Sequence, residues 1–400
     1  MHKYAFIPGS HPALSLAELR ALVDFHPLAL SKSFFVVETD KPIEVVKLQD
    51  RLGGTIKIVE IRETSRPENI GPIFELNHLL STYFAQSERK IIFGVSLYGD
   101  ISRKLFSQMR RLGFETKKNL AESEYPSRFL FDQSGVLSSA AVIKNNILQL
   151  GAEIIIIVHD NVCYVGSTVS IQDIDEYSRR DYGRPVRNAR SGMLPPKLAQ
   201  MMINLSGAPL DATLLDPFCG SGTILQEAMR MGYEKLIGAD IDGGAVAATI
   251  KNLSWFSPKN NVRVIHVSIQ KLEKAIEHNA VDVIVTETYL GPPLGRFADP
   301  NRLNRIFLEL RNLYHESLDT IARILTSRGT AVVAFPLFQM KNVSAALNLD
   351  RIISNSPCEV VEIIQQADAQ QLSIQNTHGL EYSRPDQRVG RYIVKLRRKS

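Results

Sequence analysis

From Ala212 onward the chain alternates short apolar runs, ATLLD, KLIGAD, VRVIHV, VDVIVT and GTAVVAF, with amphipathic stretches of helical length. No other feature constrains the fold as strongly. Strands alternating with helices bury their apolar faces as a mostly parallel, doubly wound α/β sheet with helices on both sides. Ligands bind such sheets at the carboxyl ends of the strands, where the strand order reverses. CEVVEII and GRYIVKL supply two more strands near the end of the chain.

The first half has a different rhythm. KYAFIPG, SFFVVETD and TIKIVEIR read as strands separated by helices, a small α+β unit over residues 1–65. A second α+β unit over 66–166 holds an apolar strand at Lys90–Leu97, helices over Ile101–Leu112 and from Ser138, and a strand at Gly151–Val158. Residues 167–194 show little periodicity and read as a linker, although Arg179, Arg180, Arg184, Arg187 and Arg190 recur through it. The alternating domain occupies 195–400.

Several classes of protein are excluded on composition. The longest apolar runs, such as Ile154–Val158, fall far short of the roughly 20 residues needed to span a bilayer, so no membrane association is expected. The opening MHKYAFIPGSHPALSLAELRAL lacks a secretory signature, and a cytoplasmic protein is expected. Cys163, Cys219 and Cys358 are odd in number and far apart, and the nine histidines have no ligand spacing, so neither a disulfide scaffold nor a metal is expected.

The sharpest chemical signal is Asp216-Pro217-Phe218-Cys219-Gly220-Ser221-Gly222-Thr223, lying between the strand ATLLD and a helix. Gly220 and Gly222 let backbone approach a ligand closely, and the helix N-terminus beginning at Thr223 favours an anionic group. Asp216 can accept a hydrogen bond from a cationic amine. That combination suits a zwitterionic amino-acid moiety better than a pyrophosphate, and Leu225 stands where a dinucleotide fingerprint has its third glycine. Asp240, at the end of the next strand, is placed to bond ribose hydroxyls, and Ile241 to pack on an adenine face. One of Asp240 and Asp242 is expected to be a helix N-cap.

DPFCGSGT with GADID resembles the class I S-adenosylmethionine-dependent methyltransferases that modify nucleobase nitrogens. YSRRDYGRPVRNARSGMLPPKLAQMMINLSG and YSRPDQRVGRYIVKL resemble the segments flanking the catalytic domain of the tRNA guanine N2-methyltransferases acting on the tenth nucleotide. PGSHPALSLAEL and LGGTIKI resemble that family's ferredoxin-like opening; FGVSLYG, LSSAAVIKNNIL and GAEIIII resemble its THUMP RNA-binding domain. The resemblance implies a Rossmann-like seven-stranded catalytic sheet whose last two strands are antiparallel. It also implies bound S-adenosylmethionine and a tRNA substrate. Arg103, Lys104, Arg110, Arg111, Lys117 and Lys118 would then neutralise RNA phosphates, with Arg184 of the linker a further contact.

Two positions depart from the family pattern. Its usual Asp/Asn-Pro-Pro-Tyr/Phe loop, which orients the target amine and stacks on a flipped base, is replaced by Glu287-Thr288-Tyr289-Leu290. Either Glu287 takes the acid's role and Tyr289 the ring's, or the chain has become an impaired tRNA-binding paralogue or a methyltransferase for another base nitrogen. Ser268 stands where the family commonly has an adenine-binding Asp and offers an uncharged hydrogen bond instead. Some enzymes of this kind need an activator subunit, and the sequence leaves that partner and the oligomeric state open.

Overall fold

The computed structural model describes residues 1–69, 90–187, 193–258, 261–292, 300–338, 347–384, 387 and 389–399. Arg190 and the loop from Pro293 lie outside the described residues. Chain contacts form two compact units: Met1–Pro12, Asp24–Asp50 and Thr55–Ile174 in the first, Ala13–Val23, Arg51–Gly54 and Asp175–Ser400 in the second. No described helix is long and apolar enough to cross a membrane.

The first unit is built on β1 (His2–Pro8), β2 (His26–Ser31), β3 (Phe34–Thr39), β4 (Thr55–Ser65), β5 (Ile91–Gly99), β6 (Ser127–Leu130), β7 (Gly151–His159) and β8 (Val162–Ile171). These make a single eight-stranded sheet in the order β2-β3-β1-β4-β8-β7-β5-β6. The two α+β units read from the sequence thus share one sheet, joined by the antiparallel pair β4–β8 from Lys57↔Ile171 to Ser65↔Cys163. The run Ile154–Ile157 in β7 is buried on both faces. Ile154 and Ile156 pack with Leu105 and Met109, whereas Ile155 and Ile157 pack with Phe34, Val36 and Val59.

Among the described residues of this unit one ion pair is fully buried. Lys57 Nζ lies 2.6 Å from Glu153 Oε1 and also donates to the Leu137 carbonyl, while Ser96 and Thr168 donate to the two oxygens of Glu153. Every member of the group is partnered, which is the condition under which buried charges are tolerated. Lys57→Met would leave Glu153 buried without its counter-charge, and urea unfolding is expected to show a loss of about 3–5 kcal/mol.

The second unit contains β9 (Thr213–Asp216), β10 (Lys235–Asp240), β11 (Arg263–His266), β12 (Val281–Glu287), β13 (Leu325–Phe338), β14 (Cys358–Val361), β15 (Gly379–Tyr382) and β16 (Val389–Arg398). Its order is β11-β10-β9-β12-β13-β16-β14, with β15 also on β16. The first five strands run parallel and β16 is antiparallel to its neighbours, so this is the doubly wound class I sheet with an antiparallel edge. An eighth strand joins the seven expected. β14 pairs with β16 from Val361↔Lys395 to Cys358↔Arg398, and β15 takes up the length beyond, from Gly379↔Val394 to Tyr382↔Arg391.

The stretch read as a linker is largely regular. β8 continues to Ile171, and Ile174–Tyr182 is a helix whose buried residue is Arg180. Arginine at a core-facing position hides that helix from a search for apolar periodicity.

Candidate active site at the strand ends

The strand order reverses at β9, with β10 and β11 on one side and β12 and β13 on the other. Three neighbouring strands each end on an acid: β9 on Asp216, β10 on Asp240 and β12 on Glu287. Ser268 follows the end of β11 and opens the 3-10 helix Ile269–Lys274.

Asp216 is buried, and its Oδ1 receives Thr286 Oγ1 at 2.7 Å and the Phe218 amide at 3.2 Å. No described residue bonds its second oxygen. Burial pushes its carboxyl up to about 7, helped by the nearby charges of Asp240 and Glu287 and opposed by the two hydrogen bonds. A cation beside it would restore the carboxylate, so Asp216 is suited to an ammonium group.

The loop that follows is held from beneath. Gly220 and Gly222 have φ of +52° and +85°, in the left-handed region. Beyond Gly220 the space a Cβ would take meets only the Phe218 carbonyl at 4.0 Å, leaving backbone open to a ligand. Asp240 Oδ2 accepts the Gly220 amide and its Oδ1 the Asp242 amide, both at 2.9 Å. Asp242 is the N-cap of the helix Gly243–Phe256, receiving Gly244 N–H at 2.8 Å. That assigns the capping role to Asp242 and leaves the remaining lone pairs of Asp240 for ribose hydroxyls. Leu225, in place of a third glycine, is accommodated by Gly238 on β10, where a Cβ would lie 2.5 Å from Leu225 Cδ1.

The residues present fit S-adenosylmethionine. Asp216 has an unbonded oxygen for the ammonium, Ile241 is 70% exposed for the adenine face, and the Ser268 side chain makes no capping bond. Phe218 is partly buried against the core behind the loop, and the Ser221 carbonyl accepts Asn252 Nδ2. A cavity of about 470 Å³ lined by Asp350, Cys358, Asn376 and Tyr392 involves none of these residues.

Two expectations are corrected. Arg184 is buried, not on an RNA-facing surface: its Nη1 donates to Thr223 Oγ1 at 2.6 Å and its Nη2 lies 3.5 Å from Asp181. The Thr223 hydroxyl is therefore engaged by Arg184 and buried beneath the loop, so it is not a free ligand for a cofactor. Arg180 is likewise buried, 2.8 Å from Glu227 on the same helix as Thr223. These arginines brace the cofactor loop, and sequence alone could not distinguish that from a phosphate contact because both use the same residue type.

At the end of β12, Glu287 Oε1 lies 2.6 Å from Arg391 Nε on β16. Burial pushes the Glu287 carboxyl above its ordinary value, and the Arg391 charge opposes this. The next residues are pinned: Thr288 N and Oγ1 both donate to the Ala334 carbonyl, and Tyr314 Oη donates to the Tyr289 carbonyl at 2.6 Å. Tyr289 itself is 52% exposed, a ring on a fixed backbone. Thr286, Tyr314 and Arg391 went unrecognised in the sequence, although GRYIVKL contains the last of them.

In the first unit, Arg103, Lys104, Arg110, Arg111, Lys117 and Lys118 all lie exposed on the helix Arg103–Glu122, opposite its buried Leu105, Met109 and Gly113. Arg111 and Lys118 each pair loosely with a glutamate one turn on, at 3.5 and 3.7 Å.

Residues 184–352 match the family described as UPF0020, RMKL-like, methyltransferase domain. The tRNA (guanine(10)-N2)-dimethyltransferase of Methanocaldococcus jannaschii is 23% identical over 336 residues, covering 82% of this chain and 89% of that protein. The enzyme of the same description from Methanothermobacter thermautotrophicus is 37% identical over 145 residues, 36% of this chain and 39% of that one. In fold, the chain is similar over its whole length to TrmN from Thermus thermophilus, with a TM-score of 0.56 at 18% identity. Residues 184–352 thus carry a methyltransferase domain of that family on a doubly wound sheet, and most of the chain is similar to a tRNA guanine N2-dimethyltransferase.

Proposed function

We propose that the protein methylates the exocyclic N2 of a guanosine in tRNA, at a site of the tenth-nucleotide type. The observation that carries this reading is Glu287 and the outward Tyr289 ring at a strand end adjoining Asp216 and Asp240. Relatives described as tRNA guanine N2 enzymes support the choice of substrate.

Bound S-adenosylmethionine supplies an electrophilic methyl group. The chain's residues position the acceptor. Tyr289 stacks on the extruded base, and Glu287 accepts N–H hydrogen bonds from the amine, directing its electron pair toward the methyl. The proton that the amine sheds passes to a Glu287 carboxylate oxygen, whose burial raises its basicity. We assign residues 66–166 to a THUMP-type RNA-binding domain after a ferredoxin-like domain over 1–65, with the exposed basic helix Arg103–Glu122 as its phosphate contact. Residues 167–194 would connect these to the methyltransferase domain over 195–400. A tRNA substrate suits a cytoplasmic protein, with or without an activator subunit.

The test is transfer of labelled methyl to an unmodified tRNA transcript, followed by digestion to nucleosides. N2-methylguanosine is the expected product. Label on an adenine nitrogen would redirect the assignment, and cofactor binding without transfer to any tRNA would make the protein a binder. Tyr289→Ala should raise KM for tRNA by roughly 5- to 150-fold, since stacking on an aromatic ring is worth about 1–3 kcal/mol per base.

A further inference from the structure

The acid at the end of β12 is one methylene longer than the aspartate or asparagine usual at this place in the family, and the structure shows what the extra length reaches. Glu287 pairs in register with Ala334 on β13, and Arg391 on β16 lies opposite Pro336 of β13 and Tyr382 of β15. The ion pair therefore spans two strand spacings, about 9–10 Å between backbones. Arginine and glutamate together cover that distance; an aspartate would fall short by about one carbon–carbon bond, and Nε could no longer sit 2.6 Å from the carboxylate. Both partners are largely covered, with side-chain exposure of 16% for Glu287 and 4% for Arg391. Only Oε1 is engaged, and no described residue bonds Oε2.

We infer that Arg391 is a positioning residue for methyl transfer: its guanidinium fixes one oxygen of Glu287 and leaves the other to receive the substrate amine. The inference rests on the guanine N2 reading. It explains how a longer, more flexible acid can serve where misplacement by about 1 Å costs roughly 100-fold in rate. The groups facing Glu287 are Arg391 from β16, Asp216 from β9 and the Tyr314 hydroxyl from the helix Pro300–Ile324; β13 presents the uncharged Ala334. Arg391 is the one cation among these. Its removal lets burial act unopposed, so Glu287 takes up its proton at higher pH.

The experiment compares kcat–pH profiles for wild type, Arg391→Gln, Arg391→Lys and the double variant Glu287→Gln/Arg391→Gln, with S-adenosylhomocysteine affinity as the check on folding. Arg391→Gln should lower kcat about 100-fold with KM for tRNA unchanged. Its acid limb should move up by roughly one to three pH units. Arg391→Lys keeps the charge but loses the planar fork, so it should return the limb while recovering only part of kcat. On the Glu287→Gln background, Arg391→Gln should add no further loss, because the arginine acts through the acid. An unmoved acid limb, an additive loss in the double variant, or loss of S-adenosylhomocysteine binding by both arginine variants would each overturn the inference while leaving guanine methylation standing. A wild type that forms no N2-methylguanosine overturns both.

Discussion

The Glu287→Gln protein is expected to bind S-adenosylhomocysteine like the wild type and to transfer methyl about 100- to 10,000-fold more slowly, the range seen when a proton-transfer group is lost. Glutamine keeps the shape of the side chain but cannot accept the amine's proton, and half of its terminal group donates where the substrate needs an acceptor. It also removes the charge of a carboxylate that lies 2.6 Å from Arg391, a side chain only 4% exposed. Unfolding should therefore show a loss of stability, separable from the catalytic effect by measuring rate well below the melting transition. Single-turnover transfer with saturating cofactor reads the chemical step directly. A rate near that of the wild type would remove Glu287 from the reaction and leave the ETYL loop a structural feature.

The second large effect concerns Asp216 and pH. In the protein without ligand the carboxyl lies near 7, so below that pH it is mostly protonated. An ammonium group bound beside it requires the carboxylate, and binding must then expel a proton. Affinity for S-adenosylhomocysteine should fall about tenfold for each pH unit below 7 and level off above it, since one unit corresponds to about 1.36 kcal/mol. Calorimetry in buffers of different ionisation enthalpy should register the released proton. Asp216→Asn keeps an acceptor for Thr286 and the Phe218 amide but loses the charge, which should weaken binding by about 1.5–3 kcal/mol near neutral pH and flatten its pH dependence. Binding that stays pH-dependent in Asp216→Asn would assign the titration to another group.

How far these sites were legible depends on the distance over which the information is encoded. The loop from Asp216 to Thr223 and the acid at Asp240 lie next to the strands that carry them, so their positions follow once the strands are recognised. Asp240 and Asp242 could not be told apart until the helix beginning at Gly243 showed which one capped it. Arg184 reads as an RNA contact, and Arg180 as one of a series of linker arginines, because charge in a sequence implies exposure by default. Their burial depends on Glu227 and Thr223, which lie 47 and 39 residues further on. The shared sheet of the first unit is hidden for a related reason: β4 ends the first unit read from the sequence, the boundary at residue 166 cuts through β8, and only the pairing of these two strands joins the units.

The sequence by itself determined the doubly wound class, the cofactor loop and the order in which three acids reach the carboxyl ends of their strands. Those features arise from periodicity within ten residues or fewer and from a topology that allows one handedness for parallel crossovers. Tertiary structure alone decided which oxygen of Asp216 stays free, which arginines are buried and which cation faces Glu287. Arg391 lies 104 residues from Glu287 and meets it only because β13 and β16 pair in one particular register. A shift of one residue in that register would turn the guanidinium to the other face of the sheet.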